Sequence, residues 1–104
     1  MKRIAFKMHL YPGKMEAYRK RHAELWPEII KLLKDAGISE YSIFLDEETH
    51  TLFAFQKVEG TVNSQDLSTN EIVQKWWAFM ADIMETHPDN SPVTTPLKEV
   101  FFLE

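Results

Sequence analysis

His22 is the residue of this chain best suited to moving protons. A free imidazole titrates near pH ~6.5, so it can both give and take a proton at neutral pH. It lies on a helical stripe, one turn after Tyr18 and one turn before Trp26, and both neighbours are large amphipathic rings able to line a pocket. The plainer alternative is a core histidine whose ring nitrogens bond a carbonyl and a hydroxyl. Trp76-Trp77 is the second feature. Adjacent helical residues diverge by about 100°, so both indoles reach a core only at its edge. Such a doublet is either packing, since each ring buries a large apolar area, or a platform for the C–H face of a pyranose. Tyr41 begins a strand and carries no message alone. Asp89-Asn90-Ser91-Pro92 offers carboxylate, amide and hydroxyl groups to a polyol, or forms a turn with Asx-type bonding.

Other chemistries find no support. His9, His22, His50 and His87 show neither helical pairing nor H-x-H spacing, so no metal site is expected. The chain has no cysteine, which removes thiol nucleophiles, disulfides and iron–sulfur clusters. Three glycines and no G-x-G-x-x-G or Walker loop speak against a phosphate cradle. No G-x-S-x-G elbow is present either. Asp46, Glu47 and Glu48 read as a solvated turn.

The elements that must position these residues follow from periodicity. Arg3 to Leu10 alternates, with Ile4, Phe6, Met8 and Leu10 on one face, and predicts a strand. Met15 to Ala36 advances by threes and fours through Met15, Tyr18, His22, Leu25, Ile29, Leu32, Leu33 and Ala36. Pro27 predicts a kink there, or two helices meeting end to end, and Gly37 supplies the stop. Tyr41–Asp46 and Thr51–Val58 read as a hairpin. Glu59 to Asp66 is a polar connection. Ser68-Thr69-Asn70-Glu71 has the capping-box form and opens a further helix with the stripe Val73, Trp76, Trp77, Met80, Ile83 and Met84. Leu97 to Leu103 alternates and predicts a closing strand.

Strand, helix, strand, strand, helix, strand is the split βαβ, ferredoxin-like order of an α+β fold: one antiparallel sheet with helices on one face. Both parities of the strands are apolar, which predicts a face-to-face homodimer. The 104 residues suit a single domain spanning 1–104, with 44% hydrophobic and 27% charged side chains. Sixteen acidic against twelve basic residues give a net charge of -4, against the basic excess usual in nucleic-acid and membrane-surface binders. No run approaches the ~18 apolar residues of a membrane span, and polar Lys7 interrupts any signal-like start. A soluble cytoplasmic protein is the expectation.

In combination, these residues resemble the L-rhamnose mutarotase family. The likeness is carried by Ala5-Phe6 with Met8, Tyr18 with Arg21-His22, Leu25-Trp26-Pro27-Glu28, Tyr41 and Leu45-Asp46. It continues through Trp76-Trp77, Met80 with Asp82, Pro88-Asp89-Asn90-Ser91-Pro92-Val93 and Glu99-Val100-Phe101, and is poorest over 59–69. The resemblance implies a cytoplasmic, dimeric α+β barrel that acts on L-rhamnose without metal or cofactor. It implies that His22 is the proton donor and that Tyr18, Tyr41, Trp76 and Trp77 bind the sugar. Protonated His22 would then donate as the ring opens and recover the proton on closure, with Tyr18, Tyr41 or a water serving the other oxygen. Two competing readings are a cofactorless monooxygenase of the same barrel class and a non-catalytic ligand-binding or dimerisation module.

Overall fold

The amino-terminal alternation becomes strand β1, Lys2–His9, in a computed structural model that describes residues 2–104. Phe6 and Met8 point inward with the bridge residue Leu10. The helical stretch that follows is two helices, α1 (Met15–Ala23) and α2 (Pro27–Asp35). Trp26 is extended, as a residue before proline prefers, and Pro27 occupies the first turn of α2, where no donor is needed. The chain leaves α2 through Gly37 at φ +82°, a backbone setting open to glycine. Strands β2 (Ile38–Asp46) and β3 (Thr51–Val58) form the expected hairpin, with β2 starting three residues before Tyr41.

Helix α3, Glu71–Met80, is capped by Asn70 rather than by the Ser68 expected from the capping-box form. The Asn70 side-chain oxygen accepts from the amides of Ile72 and Val73 at 2.9 and 3.3 Å. The helix ends at Met80, so Ile83 and Met84 leave its stripe, yet the following turn still buries both. Strand β4 is Thr95–Leu97, a correction to the predicted Leu97–Leu103. It pairs with Ala5, Phe6 and Lys7. Beyond it Val100, Phe101 and Leu103 are 77–91% exposed, because their alternation meets no face of this chain to bury against.

The sheet order is β2-β3-β1-β4 and every pairing is antiparallel, which is the ferredoxin-like arrangement. The three helices lie over the face carrying Phe6, Met8, Leu52, Ala54, Gln56 and Val58, and one core cluster joins the two layers. Phe44 and Phe55 lie on the opposite, uncovered face and meet edge to face at 6.0 Å. Arg21 joins α1 to the end of α3: it bonds both carboxylate oxygens of Asp82 and the carbonyl of Phe79. No helix among the described residues is long and apolar enough to cross a membrane.

Candidate active site

Between the helices and the inner face of the sheet lies a cavity of about 680 Å³, within the range of small-molecule sites. Helix α1 contributes Tyr18 and His22, which face the sheet because they are one turn apart. Helix α3 contributes Trp76, Trp77 and Met80, and the sheet contributes Met8, Tyr41 and Ile43. Ser64 and Gln65, from a 3₁₀ turn over Ser64–Asp66, complete the polar side. Ile29 and Leu33 of α2 close an apolar side.

His22 is half-buried, and its Nδ1 lies 3.0 Å from the carbonyl oxygen of Tyr18. A carbonyl only accepts, so Nδ1 carries the proton and Nε2 presents its lone pair. The imidazole stacks on Tyr18 with ring centres 4.3 Å apart, and Trp76 meets it edge-on at 5.4 Å. Burial holds the imidazole below its ordinary value of 6.5, only partly opposed by the Tyr18 carbonyl. The downward shift favours the neutral ring at pH 7, the form that accepts a proton, whereas the sequence reading has protonated His22 donating first. Both phenols move the other way. Burial raises Tyr18, with nearby Tyr41 adding to it, and burial likewise raises Tyr41 against the lowering effect of Ser64 and Gln56. Neither phenol is a base at neutral pH; each is a hydrogen-bond donor or acceptor.

Trp76 and Trp77 are largely buried, as packing requires, and both line the cavity. Trp26 does not line the cavity, a correction to its expected place there. It sits behind Trp76, edge-on at 5.2 Å, and also packs on Phe79. The Asp89–Pro92 segment reaches the cavity only through Pro92. Asp89 instead accepts from the amide and hydroxyl of Ser91, with Asn90 at φ +71°, which is the turn reading. Sequence reasoning missed Gln56, Ser64 and Gln65. Gln56 did leave a signal: a lone amide at an inward parity in the apolar strand Leu52-Phe53-Ala54-Phe55.

A family model described as L-rhamnose mutarotase matches residues 3–103. An L-rhamnose mutarotase of Formosa agariphila is 66% identical over all of both chains, and one of Bacteroides thetaiotaomicron is 62% identical over the same span. One from Listeria monocytogenes is 54% identical across 99% of each chain. The crystal structure of an L-rhamnose mutarotase from Formosa agariphila superposes with a TM-score of 0.93 at 63% identity, covering each chain completely. An α+β protomer with this strand order, matched to one family from end to end at more than half identity, leaves no other assignment: the chain belongs to the L-rhamnose mutarotase family.

Proposed function

We propose that this protein interconverts the α and β anomers of L-rhamnopyranose by opening and re-closing the hemiacetal, with His22 moving the proton. The observation that carries this reading is the His22 ring: Nδ1 bonded to the Tyr18 carbonyl, the ring stacked on Tyr18 in the wall of an aromatic cavity and held below its ordinary value by burial. Nε2 takes the proton of the C1 hydroxyl, the C1–O1 bond becomes a carbonyl, and the C1–O5 bond breaks with its electron pair on O5. The imidazolium then gives that proton to O5. Both oxygens are bonded to C1, so a single nitrogen serves them in turn. After rotation about C1–C2 the same steps run backwards onto the opposite face. No C–H bond breaks and the proton count closes. A positioned acid–base group contributes about 10²–10⁴-fold.

Tyr18 and Tyr41 hold hydroxyls of the sugar, and Trp76 and Trp77 receive its apolar face. The enzyme works as a homodimer, a reading supported by Phe44, Phe55 and the apolar segment 100–103 left uncovered on one chain. Its place is the cytoplasm, as the family resemblance implies. Monooxygenase activity loses ground because more than half of the chain's residues are those of named mutarotases along its full length.

Saturation-transfer NMR on L-rhamnose tests the proposal, with L-fucose, D-glucose and D-galactose as comparisons. His22→Ala is expected to remove accelerated exchange while far-ultraviolet circular dichroism stays unchanged. Truncating Trp76 would itself cost about 3–5 kcal/mol of packing, so the histidine variant is the cleaner probe. Near-normal exchange in H22A takes His22 out of the mechanism.

A further inference from the structure

Four side chains beside the cavity, Gln56, Ser64, Gln65 and Tyr41, are linked by hydrogen bonds that one backbone donor orients. The backbone amide of Ser64 donates to Gln56 Oε1 at 3.0 Å. An amide N–H has no other role, so the Gln56 carboxamide is locked with its Nε2 toward Ser64. That Nε2 donates to Ser64 Oγ at 2.9 Å, and Gln65 Nε2 donates to the same oxygen at 3.2 Å. With both lone pairs of Oγ occupied, its one proton is left for the Tyr41 hydroxyl, 3.4 Å away. Tyr41 then receives from Ser64, and its own proton points elsewhere.

The backbone reinforces this placement. Ser39 pairs with Lys57 and Ser42 with Phe55, so Glu40 and Tyr41 together oppose the single residue Gln56. The extra residue, Glu40, sits at φ +47°. Without it, strand alternation would turn Tyr41 to the outer face of the sheet. The bulge brings the phenol over Gln56, and buried Gln56 and Ser64 then orient its hydroxyl.

We propose that Gln56 and Ser64 are positioning residues that aim the Tyr41 proton at the sugar oxygen gaining negative charge as the ring opens. This rests on the anomer-exchange reading above. Tyr41 keeps its proton and stabilises that oxygen by hydrogen bonding; no proton leaves it. The interaction grows in the transition state, so its loss lowers kcat more than it raises KM.

Gln56→Glu reverses the chain. A carboxylate still accepts from the Ser64 amide but also accepts the Ser64 hydroxyl proton, so Tyr41 turns to donate to Ser64 Oγ and away from the sugar. In exchange kinetics on L-rhamnose, Q56E is expected to lower kcat about 10-fold or more with KM changed less than about threefold. In a Y41F background the same substitution is expected to have no further effect, because its action passes through the phenol. If circular dichroism shows Q56E unfolded, Ser64→Ala replaces it in the same cycle: a loss of kcat with Tyr41 present and none in the Y41F background. Equal losses with and without the phenol, or a loss confined to KM, overturn the proposal. Absence of exchange in the unsubstituted protein would instead overturn the anomer-exchange reading, so the two failures are separable.

Discussion

Burial sets the pH at which His22 can work. Its imidazole is held below 6.5, so as a base it remains competent when a free imidazole would already be half protonated. The acid limb of kcat/KM for L-rhamnose exchange is therefore expected below pH 6.5, and a limb at or above 6.5 would show a solvated ring. The same shift acts on folding. The unfolded chain takes up the His22 proton at higher pH than the native one, so this contribution favours the native state above 6.5 and is lost as the pH falls from there through the folded value. Tyr18, His22, Trp76 and Trp77 stood out by side-chain type and spacing, Tyr41 only through the family resemblance, and all five line one cavity. Trp26 was misplaced because α1 ends at Ala23 and Trp26 is extended ahead of Pro27, so the helical spacing from His22 does not reach it. Ser64 was illegible for another reason: a serine in a polar connection acquires meaning only when Gln56, eight residues away, closes on it.

Strand β2 shows how an element can carry a site through an irregularity. Holding a non-glycine residue at φ +47°, as Glu40 is held, costs about 1–2 kcal/mol. The Lys57 ion pair at a largely exposed carboxylate returns little of that. Glu40→Gly is expected to leave stability within about 1 kcal/mol, since relief of strain is offset by the freer unfolded chain, and to keep exchange activity. Glu40→Val, β-branched at positive φ, is expected to be more than about 1 kcal/mol less stable than E40G by urea unfolding. Equal stabilities would mean that the bulge relaxes without strain. The break at Pro27 was legible because proline acts on its own helix. The bulge was not, since two residues opposing one is a property of a pair of strands. The position of β4 was likewise hidden: Thr95-Pro96-Leu97 pairs with β1 at an edge, whereas the better alternation just beyond it does not.

Across the whole molecule, one sheet face is packed and the other is not. Phe44, Phe55 and the segment from Val100 to Leu103 leave large apolar side chains exposed, the kind of surface that marks interaction sites. Light scattering is expected to give twice the chain mass at micromolar concentration. Removal of residues 98–104, or Phe44→Lys with Phe55→Lys, is expected to shift the mass toward one chain. A stable dimer after both changes would place the interface elsewhere. The ferredoxin-like order itself was readable because element succession survives errors of several residues at each boundary, as at β2 and β4. Arg21 adds a mechanical consequence. By clasping Asp82 and the Phe79 carbonyl it ties the histidine-bearing helix to the end of the tryptophan-bearing helix. On the opposite rim the turn at Ser64 is moored to β3 through Gln56 and to the Tyr41 phenol, so any shift of that turn would carry the phenol with it.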